Sequence, residues 1–252
     1  MTELFNRLLA ARNRTAGALP LITYYDEDRG ERTELSGTSY ANWVDKTAGL
    51  LVDEVLIESG QPVRLDLARS APLHWVTLVW VAACWRVGCP VLVGDASAGF
   101  GGSDAAVVVV GPDSAFDQPA AGVETIACSL HPLGLGFTDP LPDGVIDYGI
   151  EVRAQPDSFR GPFPDPAATA WIEDPGLHPT RLTQAEVITS SPVSSSSPAR
   201  RTMIIPDPSE SLWTNLQRAL VNPVITGGSV VIMVGAAPER RAQVADAERV
   251  ES

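Results

Sequence analysis

The stretch that decides the fold is PVRLDLARSAPLHWVTLVWVAACWRVGCPVLVGD, residues 62–95. Val63 to Leu67 reads as a strand. Ser70-Ala-Pro72 supplies a capping hydroxyl and a first-turn proline for a helix. That helix runs through His74, Trp75, Leu78, Val79 and Ala82 to Val87. Gly88 stands where a helix closes in left-handed backbone. Cys89 to Val93 is a second strand, and Ala105 to Val110, beyond a loop at 94–103, is a third. Strands that are apolar throughout, without alternation, are those of a parallel sheet covered on both faces. Strand, helix, strand with short turns is therefore the βαβ grammar of a covered sheet.

The same grammar returns in RTMIIPDPSESLWTNLQRALVNPVITGGSVVIMVG, residues 201–235. Thr202 to Pro206 reads as a strand. Asp207-Pro-Ser-Glu210 reads as a helix start, with Asp as cap and Pro in the first turn. Leu212, Trp213, Leu216, Ala219 and Leu220 form a helical face. Gly227-Gly228 ends it, and Ser229 to Val234 is apolar. Helix start, tryptophan, terminal glycine and apolar strand recur in one order. Two copies make two similar halves, not a repeat array. Trp75, Trp80, Trp85 and Trp213 are expected in the core.

The flanking segments fit this plan. A helix is predicted over Thr2 to Arg12. A hairpin follows over residues 19–35, turning at Gly30. A long helix capped by Ser39 carries Tyr40, Trp43, Val44, Thr47, Leu51 and Val55 at helical spacing. Lys46 lies outside that stripe and is expected on the surface. His131 to Pro166 is a wandering connection with a short helix, Gly144 to Ala154. Ala168 to Ile172 is a short strand, Thr183 to Glu186 a capping box, and Ser190 to Ala199 a low-complexity loop. Pro238 to Ser252 is a charged helix. The fold class is α/β, with mixed or parallel sheets covered by helices from two similar βαβ units. Residues 1–252 are read as one domain with halves 1–130 and 165–252 about an irregular connection, 131–164.

Composition removes several functions. The net charge of −13 opposes nucleic acid and anionic membrane as partners. Three cysteines, Cys84, Cys89 and Cys128, have neither a disulfide framework nor metal-ligand spacing. No apolar run is long enough to span a bilayer. The amino-terminal MTELFNRLLAARNRT lacks the apolar core of a signal peptide, so a cytoplasmic location is expected. The chain has one lysine, Lys46, against 17 arginines. That excludes a Walker-type phosphate loop, which needs a lysine after its glycines.

Residues 62–95 resemble the early segment of AMP-binding acyl-CoA synthetases, in which a strand leads to a helix that ends in a glycine before an apolar strand. Residues 201–235 resemble a later segment, in which a helix ends in a Gly-Gly turn. WVDKTAGLLVDEVL, residues 43–56, takes the place of the helix before the first. The chain is similar to short single-domain relatives of adenylate-forming enzymes of the kind found in high-GC bacteria. The resemblance implies the fold of their N-terminal part and admits an ATP, AMP or CoA-type ligand.

The departures matter more for chemistry. The family's phosphate loop is rich in Ser, Thr and Gly and contains a lysine. The matching place here runs from Trp171 to Gln184. Gly176, Pro179 and Thr183 are loose echoes, while the hydroxyl cluster and the lysine are gone. Glu173 and Asp174 stand where phosphate would approach, and Arg181 offers one positive charge. Degenerate ligand-binding residues are therefore placed at Glu173, Asp174, Gly176, His178, Thr180 and Arg181. No catalytic or metal-binding residue is assigned. The family's later adenine, ribose and C-terminal lysine motifs are expected to lie beyond Ser252. The expectation is a non-adenylating module that binds a small acyl or nucleotide ligand, or a protein. Two alternatives stay open: an enzyme of different chemistry using the loop 171–184 with Glu173, Asp174 and His178, and a structural subunit completed by a partner. A homo-oligomer is also admitted.

Overall fold

The structure is a computed structural model and describes residues 3–94, 105–114, 122–174 and 180–251. The chain folds as two compact units, one from the segments before Asn42 and after Glu186, the other from Asn42 to Glu186.

The first unit opens with helix α1 (Phe5–Ala16). Strands β1 (Pro20–Asp26) and β2 (Glu31–Ser36) follow as the expected antiparallel hairpin. The start of α2 (Gly37–Gly49) also lies in this unit. Its remaining strands are β10 (Arg201–Ile204) and β11 (Ser229–Val234), joined by the second βαβ crossover. The sheet order is β10-β11-β1-β2, parallel except for β2. The crossover is α7 (Leu212–Leu216), a π-helical turn at Gln217–Val221, and α8 (Asn222–Thr226). The wide turn sits just before Pro223, which has no N–H to give to a normal turn. One face of the sheet packs Tyr25, Val231 and Met233 against Val244 of α9 (Pro238–Ala247).

The second unit holds β3 (Val63–Leu65), the short α3 (Leu67–Ser70), α4 (Trp75–Val87), β4 (Val91–Gly94), β5 (Val107–Val110), β6 (Glu124–Ala127), β7 (Val145–Asp147), α5 (Tyr148–Ala154), β8 (Thr169–Asp174) and β9 (Thr180–Thr183), and ends at Glu186, the first residue of α6 (Glu186–Thr189). The order is β7-β6-β5-β3-β4-β8-β9, parallel except for β9. Helix α4 is buried from Trp75 to Arg86. A helix apolar on every side belongs inside a layered fold. The rings of Trp80 and Tyr148 pack at a tilt of 44° with centres 5.2 Å apart, and the Tyr148 hydroxyl meets Thr47 Oγ1 at 2.7 Å. Trp75, Trp80, Trp85 and Trp213 are buried, as the helical spacing predicts.

Several helix starts differ from the sequence reading, because capping depends on backbone geometry and not on residue type alone. Ser70 closes α3, and α4 is capped by His74, whose Nδ1 accepts from Val76 N at 3.2 Å. Ser36, not Ser39, caps α2: its Oγ accepts from Ser39 N at 3.1 Å. Ser211, not Asp207, caps α7, with Oγ accepting from Thr214 N at 3.0 Å. Asp207 instead forms a local turn, accepting from Ser209 N at 2.8 Å. The segment read as a helix over Gly144–Ala154 begins as β7, because Val145 to Asp147 pair with β6. Lys46 is not a free surface cation. Its ammonium donates to Gln155 O and pairs with Asp157 at 3.0 Å.

Candidate functional site

The sequence places its candidate residues at the β8–β9 hairpin. β4 and β8 run side by side in register, with Val93 opposite Glu173 and Gly94 opposite Asp174. Both strands therefore end at the C-terminal edge of the sheet, where open α/β sheets ordinarily bind ligands. Of the stretch read as an altered loop, residues 171–174 and 180–183 are strand, since β8 and β9 pair with each other. Gly176 and His178 lie outside the described residues, and Asp174 is described as strand backbone alone.

A bulge organises the hairpin. Thr169 pairs with Thr183, but Trp171 pairs with Leu182, so Ala170 is an extra residue. One extra residue moves everything beyond it to the other face of the sheet. As a result Thr180 stands opposite Glu173, while Arg181 stands opposite Ile172. Paired residues share a face and neighbours alternate. Glu173 and Thr180 are thus brought together, and Arg181 is carried to the opposite face. There its guanidinium donates to Thr169 Oγ1 at 3.4 Å.

Glu173 is 7% exposed and accepts from Trp171 Nε1 at 3.4 Å. The bulged Ala170 does not lose its carbonyl's partner: Trp85 Nε1 of α4 donates to it at 3.1 Å. At the foot of β9 the capping box forms as the sequence predicts. Glu186 Oε2 accepts from Thr183 N at 2.8 Å and from Thr183 Oγ1 at 2.9 Å, and Thr183 Oγ1 accepts from Glu186 N at 3.2 Å. The bonds from Thr183 hold the Glu186 carboxyl below its ordinary range. The hairpin is therefore tied to Trp85 of α4 and closed at its base by Glu186.

The sequence reading assigned no function to His74 or His131, and both serve as local caps. His131 Nδ1 accepts from Leu133 N at 3.1 Å, much as His74 does for Val76. It passed over Arg86, a guanidinium buried at the end of α4. An arginine inside a run of apolar helix residues was the available signal. Among the described residues, no group of three or more His, Cys, Asp or Glu is placed to hold a metal ion. Also among the described residues, no helix is long and apolar enough to cross a membrane.

The fold is similar to that of the N-terminal domains of acyl-CoA synthetases. An acyl-CoA synthetase from Brucella canis superposes with a TM-score of 0.71 at 17% identity, over 99% of this chain and 46% of that one. The N-terminal domain of FACL13 from Mycobacterium tuberculosis gives 0.64 at 14% identity, over 98% of this chain and 61% of that one. In sequence, the chain is 34% identical over 162 residues to a TIGR03089 family protein of Mycobacterium tuberculosis, a match spanning 63% of each. The chain thus spans about half of the synthetase and under two thirds of the sequence relative. No family model matches it.

Proposed function

We propose that this chain is a non-adenylating relative of the acyl-CoA synthetases that acts as a small-molecule-binding or interaction module. The observation that carries this reading is the bulge at Ala170. It leaves buried Glu173 on one face of the hairpin and turns Arg181, the cation nearest in sequence, to the other. Adenylate formation moves charge between phosphates and depends on cations aimed at it. The single lysine, Lys46, is already engaged by Asp157 and Gln155. A degenerate phosphate loop of this kind repels a triphosphate. The ligand this reading admits is a less charged acyl or nucleotide group at the strand ends, the ordinary place in an open α/β sheet. The three cysteines are buried thiols without a disulfide, which suits a reducing cytoplasm.

The test is ATP–pyrophosphate exchange by the purified chain with a broad panel of carboxylic acids. The expected rate is that of the enzyme-free control with every acid. Robust exchange with any of them overturns the proposal.

A further inference from the structure

We propose that the four-stranded unit carries an anion-binding pocket at the N-terminal edge of its sheet, for a small molecule bearing two or more negative charges on phosphate or carboxylate groups. A cavity of about 450 Å³ opens where β1, β10 and β11 begin, at Pro20, Arg201 and Ser229. That volume is in the range of small-molecule sites. Arg12, Arg200, Arg201 and Arg249 line it, against Glu34 and Glu248. Four positive charges against two negative leave an excess of two, on a chain whose net charge is −13. The lining carboxylates are already engaged. Glu248 is shared between Arg201 and Arg32, and Glu34 pairs with Arg32, which lies outside the lining. A concave surface with a net positive lining inside a negative overall field concentrates anionic ligands.

Arg12 forms the buried wall, at 7% exposure. Its guanidinium donates to the carbonyls of Ala16 at 3.3 Å, Pro20 at 3.1 Å and Gly228 at 3.0 Å. Among the described residues no carboxylate pairs with it. A buried charge answered only by carbonyl dipoles is one that a bound anion completes. Arg249 stands at the rim in left-handed backbone, φ +54°. It occupies the closing turn of α9, where Val250 N donates back to Ala245 O at 2.8 Å. Glycine takes that position without strain. The arginine there is held beside β10 by the bond from Glu251 N to Arg201 O at 2.8 Å. Guanidinium groups match the paired oxygens of both phosphate and carboxylate. The pocket shares no residue with the β8–β9 hairpin, so it stands or falls independently of the reading above.

The test is calorimetric titration of the whole chain with pyrophosphate and with citrate, at constant ionic strength set by sodium chloride. Saturable binding of at least one is expected. Tighter binding of pyrophosphate assigns a phosphate ligand, and tighter citrate a polycarboxylate. Arg249→Gly, which removes the strained side chain, is expected to keep the melting temperature and weaken binding about tenfold, the effect of one charge-assisted contact. Arg249→Asn tolerates the same backbone without the charge and is expected to show the same loss. No saturable binding of either anion, or wild-type affinity in both variants, overturns the proposal.

Discussion

Arg86 shows how one buried side chain can order a segment that has no regular structure of its own. Its guanidinium donates to the carbonyls of Pro162 at 2.9 Å, Phe159 at 3.2 Å and Gly161 at 2.8 Å. The same group lies 4.9 Å from the ring centre of Phe159 and 4.6 Å from that of Phe163. Burial pulls its pKa down, and the nearby Asp45 partly restores it. Carbonyls in an irregular connection need partners as much as those in a sheet. Arg86→Met is therefore expected to lower stability by about 3 kcal/mol, read as an earlier urea midpoint. Arg86→Lys lacks the planar fork and should fall between the two. A wild-type midpoint in Arg86→Met would show that the connection is ordered by other means. None of this was visible in the Pro- and Gly-rich composition of the segment, because the partner lies 73 to 76 residues away in sequence.

At the scale of elements, the two βαβ crossovers end alike but under different constraints. Gly88 closes α4 at φ +88°, and a Cβ there would lie 2.6 Å from Ser59 Oγ and 3.0 Å from Pro164 Cβ. Gly227 closes α8 at φ +76°, with nothing within 4 Å of that position. Alanine at either site carries the left-handed strain, but only at Gly88 does it also meet packed neighbours. Gly227→Ala should cost about 1 kcal/mol and Gly88→Ala about 2 to 3 kcal/mol, measured by the shift in the unfolding midpoint. Both glycine stops were legible in the sequence, since a helix that ends before an apolar strand needs such a turn. The caps were less legible. Ser39, Ser70 and Asp207 have the right side chains, but Ser36, His74 and Ser211 stand one turn away with the right backbone. The bulge at Ala170 left no mark in the residue pattern, because it is a matter of register between two strands.

At the scale of the molecule, Glu248 ties the two ends of the chain within one unit. Its carboxylate accepts from the Tyr25 hydroxyl at 2.6 Å and from Arg32 Nη2 at 2.9 Å, and it also pairs with Arg201. Burial alone would push its pKa up. The bonds from Tyr25, Arg32 and Arg201 outweigh burial and bring it from 4.5 down to about 2. A carboxyl depressed on folding contributes stability above its unfolded pKa, and loses it as pH falls through the folded one. The wild-type chain should therefore lose stability between about pH 5 and pH 2 more steeply than Glu248→Gln, which should be less stable at pH 7. Melting curves across that range check both; parallel curves would remove Glu248 as the source. By itself the sequence determined the layered α/β class, the parallel strands, the glycine stops and the core tryptophans. These follow from apolar periodicity and backbone conformation, which act over a few residues. Tertiary structure alone decided which strands share a sheet, that the chain's two ends fold together, and which face Arg181 takes. Those outcomes depend on register and on partners far apart in the chain, and a charge joins a site only where the sheet turns it.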